Sequence, residues 1–280
     1  MEYLTLHNGR RMPALGLGTW DLRGQTCVET IPRALELGYR LIDTAQMYEN
    51  EREVGQGLRL AGLPREEVWV TTKIFRPDTT YAKAKAAIQR SLDQLALDYI
   101  DLLLIHEPYD TAEEMYVALE EAYQAGTLRA IGISNFHEAR YQTFLAGCQV
   151  VPMVNQVETH ALFQQAAAHE VMAKYGVVHE SWGPFAEGRK DFFTNPTLQA
   201  IGAKYGKSVA QTALRFLIQS DVVVIPKSTH KERMAENLDV FDFQLSQEDM
   251  VAIRALDDGQ SAFFSHYDPA TVEFLTSLGR

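Results

Sequence analysis

The chain has 280 residues, of which 46% are apolar, and carries a formal net charge of −11. That apolar share supports one sizeable core. The acidic balance weighs against nucleic acid or an anionic membrane as partner, because phosphate groups attract Lys and Arg. Two cysteines, Cys27 and Cys148, are too few for a disulfide scaffold and point to a reducing compartment.

The first residues, Met1 to Leu6, lack the basic start and apolar stretch of a signal peptide. No apolar run reaches ~18 residues, so no membrane span is expected, and the cytoplasm is the expected location. Residues 3–13 read as a hairpin turning at Asn8-Gly9. Eight short apolar runs follow: Ala14–Leu17, Arg40–Ile42, Val68–Thr72, Ile100–Ile105, Ala130–Ile133, Val151–Asn155, Val177–Glu180 and Val222–Ile225. Helical spacing separates them, as in Ile88, Leu92 and Leu95, or Met115, Leu119 and Ala122. Buried strands alternating with helices imply a parallel sheet covered on its outer face. Eight such units, in a length close to the ~250 residues the fold takes, predict a single-domain α/β protein, a (β/α)8 TIM barrel over residues 1–280. An open doubly wound sheet is the alternative, but Gly16-Leu17-Gly18-Thr19-Trp20-Asp21 lacks the third glycine of its dinucleotide loop.

In a barrel of this kind the chemistry sits at the carboxyl ends of the strands. Those ends here are Thr19-Trp20, Asp43, Lys73, His106, Ser134-Asn135, Gln156, Ser181-Trp182 and Lys227-Ser228. Taken singly, most have an ordinary reading. Asp43 can cap a helix, and Tyr48 can be a core ring with its hydroxyl at the rim. His106 can bond a backbone carbonyl, and Asn135 and Gln156 can satisfy loop amides. Lys73 is harder to dismiss. Lysine is almost never buried without a partner, and this one directly follows Val-Trp-Val-Thr-Thr, with Asp43 on the adjacent strand placed to pair with it. A cation held there favours the phenolate of Tyr48 and is expected to draw its pKa from ~10 toward neutrality. Tyr48 then serves as a general acid, and a neutral His106 orients a carbonyl or relays its proton. Such a set protonates an oxyanion as a carbonyl is reduced, and a cofactor has to bring the hydride.

The motifs Gly16-Leu17-Gly18-Thr19-Trp20, Asp43-Thr44-Ala45 with Tyr48 and Asn50-Glu51, Thr72-Lys73, and Leu103-Leu104-Ile105-His106 come in that order. Gly132-Ile133-Ser134-Asn135-Phe136, Asn155-Gln156, and Ile225-Pro226-Lys227-Ser228 with Arg233, Glu236 and Asn237 complete the series. In order and spacing the chain resembles the aldo-keto reductases over essentially its whole length, in particular the small bacterial members similar to 2,5-diketogluconate reductases. The resemblance implies a tetrad of Asp43, Tyr48, Lys73 and His106, with Tyr48 as proton donor. It implies that Ser134, Asn135 and Gln156 hold the nicotinamide carboxamide and that Trp182 stacks on the ring. Further cofactor contacts are implied at Gly18, Thr19, Pro184, Phe185 and Thr229. NADPH is implied over NADH because Lys227, Ser228 and Arg233 match positions that hold the 2′-phosphate, and cations near a helix start do make an anion site. Glu236 and Asn237 match adenine contacts. A monomer acting on a small carbonyl compound is implied, and no metal.

Three departures concern the substrate. Trp182 stands where the family often has a tyrosine, Glu107 where an aromatic residue commonly precedes the proline, and Phe75 where a tryptophan is frequent. Trp20, Phe75 and His106 are the expected pocket residues. The tail from Gly259, with Phe263, Phe264, His266 and Tyr267, is expected over the barrel mouth, with packing on the outer helices as the alternative.

Other motifs fail on spacing. Gly206-Lys207-Ser208 has Ile201 where a phosphate loop needs its first glycine, and reads as a turn before a helix. Gly132 to Phe136 lacks the last glycine of a nucleophile elbow, and no His-Glu pair has the second histidine of a zinc protease. Two rival functions remain. A Schiff-base aldolase at Lys73 is opposed by the Asp43 pairing, and a non-catalytic NADPH-binding regulator by the complete tetrad.

Overall fold

The computed structural model describes residues 1–75, 80–109 and 111–277. The chain opens with an antiparallel hairpin, β1 (Tyr3–Thr5) and β2 (Arg11–Pro13), in which Leu4 faces Met12. Its turn places Gly9 at φ 84°, a left-handed value that glycine takes without steric cost. Parallel strands follow, each paired with the next: β3 (Leu17–Gly18), β4 (Leu41–Asp43), β5 (Trp69–Ile74), β6 (Leu102–Ile105), β7 (Ile131–Ser134), β8 (Val154–Glu158), β9 (Val178–Trp182) and β10 (Val222–Val224). The two edges of this sheet meet. The Gly16 N–H donates to the Val224 carbonyl at 2.8 Å and the Val224 N–H to that of Ala14 at 3.0 Å, so the sheet closes on itself.

All eight apolar runs are strands, and the barrel expected from them is present. Their ends differ from the expectation. Lys73 lies inside β5 rather than after it, and β8 runs past Gln156 to Glu158. The apolar pattern fades where inward-facing polar groups gather at a functional mouth, whereas backbone pairing continues through them.

The helices are α1 (Gly24–Leu37), α2 (Glu51–Ala61), α3 (Tyr81–Leu95), α4 (Ala112–Gln124), α5 (Glu138–Gly147), α6 (Ala166–Lys174), α7 (Pro196–Tyr205), α8 (Val209–Gln219), α9 (Lys231–Leu238), α10 (Gln247–Arg254) and α11 (Pro269–Ser277). Local chemistry sets several starts. Ser208 accepts from the Gln211 N–H at 3.2 Å while the Gln211 side chain accepts from the Ser208 N–H at 3.0 Å, a reciprocal cap that opens α8. Gly206-Lys207-Ser208 is thus the turn before a helix. Ile88, Leu92 and Leu95 form the buried face of α3, as their spacing requires.

Successive side chains on a strand alternate between barrel interior and helix layer. Leu41, Trp69, Leu102, Leu104, Val154 and Val223 form one interior cluster, which Leu6 and Met12 of the hairpin join. One step further along the same faces the side chains turn polar. Asp43 follows Leu41, Lys73 follows Thr71, His106 follows Leu104, Gln156 follows Val154 and Glu180 follows Val178. An apolar floor therefore carries an ionisable mouth.

The tail lies over that mouth, as expected. Ser261 Oγ and the Ala262 N–H donate to Glu158 at 2.5 and 2.8 Å, His266 Nδ1 meets Glu107 Oε2 at 2.7 Å, and the Tyr267 hydroxyl donates to the Asn135 carbonyl at 3.0 Å.

Candidate active site

Lys73 is completely buried, and its ammonium donates three hydrogen bonds. They run to Asp43 Oδ1 at 2.6 Å, the Thr44 carbonyl at 3.0 Å and the Tyr48 hydroxyl at 3.3 Å. The second oxygen of Asp43 accepts from Gln156 Nε2 at 2.9 Å. Tyr48 ends a short 3-10 turn, Gln46–Tyr48, with Trp20 edge-on at 5.0 Å and the His106 ring at 5.8 Å. The Phe75 ring lies 6.2 Å from the His106 ring, edge-on. Buried Asn50 ties the loops that carry Trp20 and Tyr48. Its amide nitrogen donates to the Thr19 and Leu22 carbonyls, both at 2.9 Å, and its oxygen accepts from the Thr44 hydroxyl at 2.6 Å.

Burial pulls the Lys73 ammonium down, but Asp43 and Tyr48 push it net above the ordinary lysine range. It is cationic at neutral pH. Burial pushes the Asp43 carboxyl up against the pull of Lys73, and the 2.6 Å contact with a full cation keeps the pair ionic. For Tyr48 the sequence expectation is corrected. Burial raises its hydroxyl above the ordinary tyrosine value and outweighs the downward pull of Lys73, with Asp43 adding to the rise. The phenol is therefore protonated at neutral pH, the form a proton donor needs. Burial, Lys73 and His266 hold His106 well below the usual histidine range, so its imidazole is neutral.

The residues assigned to the nicotinamide meet around this centre. Ser134 Oγ donates to the Gln156 carbonyl at 2.7 Å, and Asn135 Nδ2 to the His106 carbonyl at 3.1 Å. Trp182 Nε1 donates to Asn135 Oδ1 at 2.8 Å, which fixes the indole, while Phe263 packs at 5.1 Å from it. Among the described residues this leaves the Ser134 lone pairs, the second N–H of Asn135 and Gln156 Oε1 without partners. Acceptors for an NH2 group and a donor for a carbonyl fit a carboxamide. Gly18 sits on the closing seam, and Thr19 is buried against Asn50. Pro184 is buried, and the Phe185 ring packs against Phe192 at 6.1 Å and Phe193 at 5.6 Å.

The residues assigned to the 2′-phosphate and adenine gather at α9. Lys227 and Arg233 are exposed, with no acidic partner among the described residues, while Ser228 is buried and Thr229 half-buried. Ser228 Oγ accepts from the His230 N–H at 3.1 Å at the helix start. Glu236 is half-buried and Asn237 buried on the same helix.

Among the described residues, three buried carboxyls at the mouth had no assigned role from sequence: Glu107, Glu158 and Glu180. Glu180 Oε2 accepts from the same Gln156 nitrogen that serves Asp43, at 2.9 Å, while burial and nearby Asp43 push its pKa up to about 8. The available signal was a carboxylate at an inward position of an apolar strand.

A closed parallel barrel with a buried ion pair among the polar residues of its mouth has the architecture of a barrel enzyme. Comparison with known proteins gives the particular family. The pattern of the Aldo/keto reductase family matches residues 14–258, and the chain belongs to that family. It is 46% identical over 258 residues to the 9,11-endoperoxide prostaglandin H2 reductase of Trypanosoma cruzi, covering 91% of each chain. It is 43% identical over 257 residues to the glyoxal reductase of Bacillus subtilis, covering 91% of this chain and 92% of the relative. An aldo-keto reductase crystallised with NADPH superposes with a TM-score of 0.89 at 32% identity, covering 95% of this chain and 91% of that one.

Proposed function

We propose that this protein is a cytoplasmic, monomeric, single-domain reductase that converts small aldehydes and ketones to alcohols with NADPH, Tyr48 giving the proton. The observation that carries this is the contact of a neutral Tyr48 hydroxyl with a fully buried Lys73 ammonium. Bound NADPH supplies the hydride to the carbonyl carbon. The neutral His106 imidazole orients the carbonyl oxygen toward Tyr48, with the rings of Trp20 and Phe75 walling the pocket. As negative charge develops on that oxygen, Tyr48 transfers its proton, and Lys73 stabilises the phenolate left behind. Asp43 acts through Lys73 and does not touch the substrate. Ser134, Asn135, Gln156 and Trp182 hold the nicotinamide end, and Gly18, Thr19, Pro184 and Phe185 line the approach to it. Lys227, Ser228, Thr229 and Arg233 take the 2′-phosphate, with Glu236 and Asn237 at the adenine.

Tyr48→Phe removes only the hydroxyl. It is expected to lower NADPH-dependent reduction of a reactive dicarbonyl by about 10²-fold or more, while NADPH still quenches tryptophan fluorescence with a near-normal Kd. Unchanged turnover in that variant refutes the mechanism.

A further inference from the structure

Gln156 is held by two carboxyls at once. Its Nε2 donates to Asp43 Oδ2 and to Glu180 Oε2, each at 2.9 Å. Its side-chain oxygen has no such partner, so the two acceptors fix which way the amide faces. Were the amide flipped, its oxygen would confront the Asp43 carboxylate, which would lose its donor. Glu180 is itself fully buried at an inward position of β9, in register with Gln156 on β8, and its Oε1 has no hydrogen-bond partner among the described residues.

We propose that Glu180 is a positioning residue for the nicotinamide end of the cofactor, acting through Gln156, and that its charge state sets the preference between oxidised and reduced cofactor. This rests on the reading of Gln156 as a cofactor contact. The charged groups facing Glu180 are Asp43 from β4 and Lys73 from β5, while β10 offers only Val223 at its register. Lys73 is held above the ordinary lysine range and Tyr48 above the ordinary tyrosine range, and His106 lies well below the usual histidine range. None of these titrates where Glu180 does, near pH 8. Below that pH, Glu180 is neutral and the buried set carries only the balanced Lys73–Asp43 pair. Above it, one uncompensated negative charge stands one side chain away from the nicotinamide site. The oxidised ring is a cation and the reduced ring is not, so the charge favours NADP+.

The test is the Kd of NADP+ and of NADPH, each from tryptophan fluorescence quenching, at a series of pH values on either side of 8. The ratio of the NADP+ Kd to the NADPH Kd is expected to fall about tenfold as pH rises, the order of one charge seen through protein at this range. In Glu180→Gln, which mimics the neutral acid, the ratio is expected to stay flat. A flat ratio in the wild-type protein, or an unaltered pH dependence in the variant, overturns the proposal. Gln156→Ala distinguishes the two layers. If it leaves both affinities intact, the cofactor role of Gln156 is wrong. If it weakens them while Glu180→Gln retains the wild-type pH dependence, only the role of Glu180 falls. Should the Glu180 variant fail to fold, calorimetry of the wild-type protein near pH 8 in buffers of different ionisation enthalpy decides. NADP+ binding must release more protons than NADPH binding, and equal release overturns the proposal.

Discussion

At the scale of single residues, the neutrality of His106 has a pH signature. Protonating it would place a second cation beside Lys73 in a dry site, and burial, Lys73 and His266 together oppose this. The neutral form therefore persists as pH falls through the usual histidine range. Reduction is expected to keep its kcat/KM well below pH 6.5, as read from a pH profile with a reactive aldehyde. An acid limb centred at the ordinary histidine value would sink the assignment. Lys227 offers an independent check at the far end of the cofactor. Its cation is exposed and without an acidic partner among the described residues, in the loop between β10 and α9. Lys227→Ala is expected to weaken NADPH by about tenfold and NADH little, in parallel fluorescence titrations. Equal losses would refute a 2′-phosphate role. The Asp43–Lys73 pair was legible in the sequence because a lysine inside an apolar strand demands a carboxylate. The direction of the Tyr48 shift was not. It depends on how much burial opposes the ammonium, and burial is a property of the assembled mouth, not of neighbouring residues in the chain.

Among the elements, the seam between β3 and β10 closes the barrel with little to spare. A Cβ built on Gly18 would stand 2.7 Å from the Ile225 carbonyl oxygen, and backbone there cannot yield without parting the strands. Gly18→Ala is expected to cost about 1–3 kcal/mol in urea denaturation, the range for forced overpacking. It is also expected to weaken NADPH, because the same seam leads directly into Thr19 and Lys227. A variant with wild-type stability and affinity would show that the seam is not a constraint. Strand identity and order were readable from the apolar runs, since a sheet buried on both faces has few places for polar residues. Strand ends were not, as Lys73 within β5 and Gln156 within β8 show. There the inward side chains serve chemistry instead of the core, while the backbone ladder runs on.

For the whole molecule, the two ends of the barrel are treated differently. Leu6 and Met12 of the hairpin extend the apolar interior at one end, and a sequence hairpin ahead of the first strand made that part recognisable. At the other end the tail is fastened by hydrogen bonds to two buried glutamates, and the pairing of Glu107 with His266 and of Glu158 with Ser261 and Ala262 joins residues more than 100 positions apart. Such partners cannot be matched from one sequence, so the aromatic tail could be noticed but its anchors could not. The family pattern ends at residue 258, and the segment beyond it touches the site. The Tyr267 hydroxyl donates to the Asn135 carbonyl, and Phe263 and His266 pack on Trp182. Loosening the anchors should therefore be felt at the cofactor. In a Glu107→Gln, Glu158→Gln double variant, protease cleavage after Phe263 and Phe264 is expected to quicken by about tenfold, because exposure follows the local opening equilibrium. NADPH affinity is expected to fall with it, while cleavage elsewhere in the barrel stays slow. If the tail resists cleavage as in the wild-type chain, the two carboxyls are not what holds it. If cleavage quickens but NADPH affinity is unchanged, the tail covers the mouth without supporting Asn135 and Trp182.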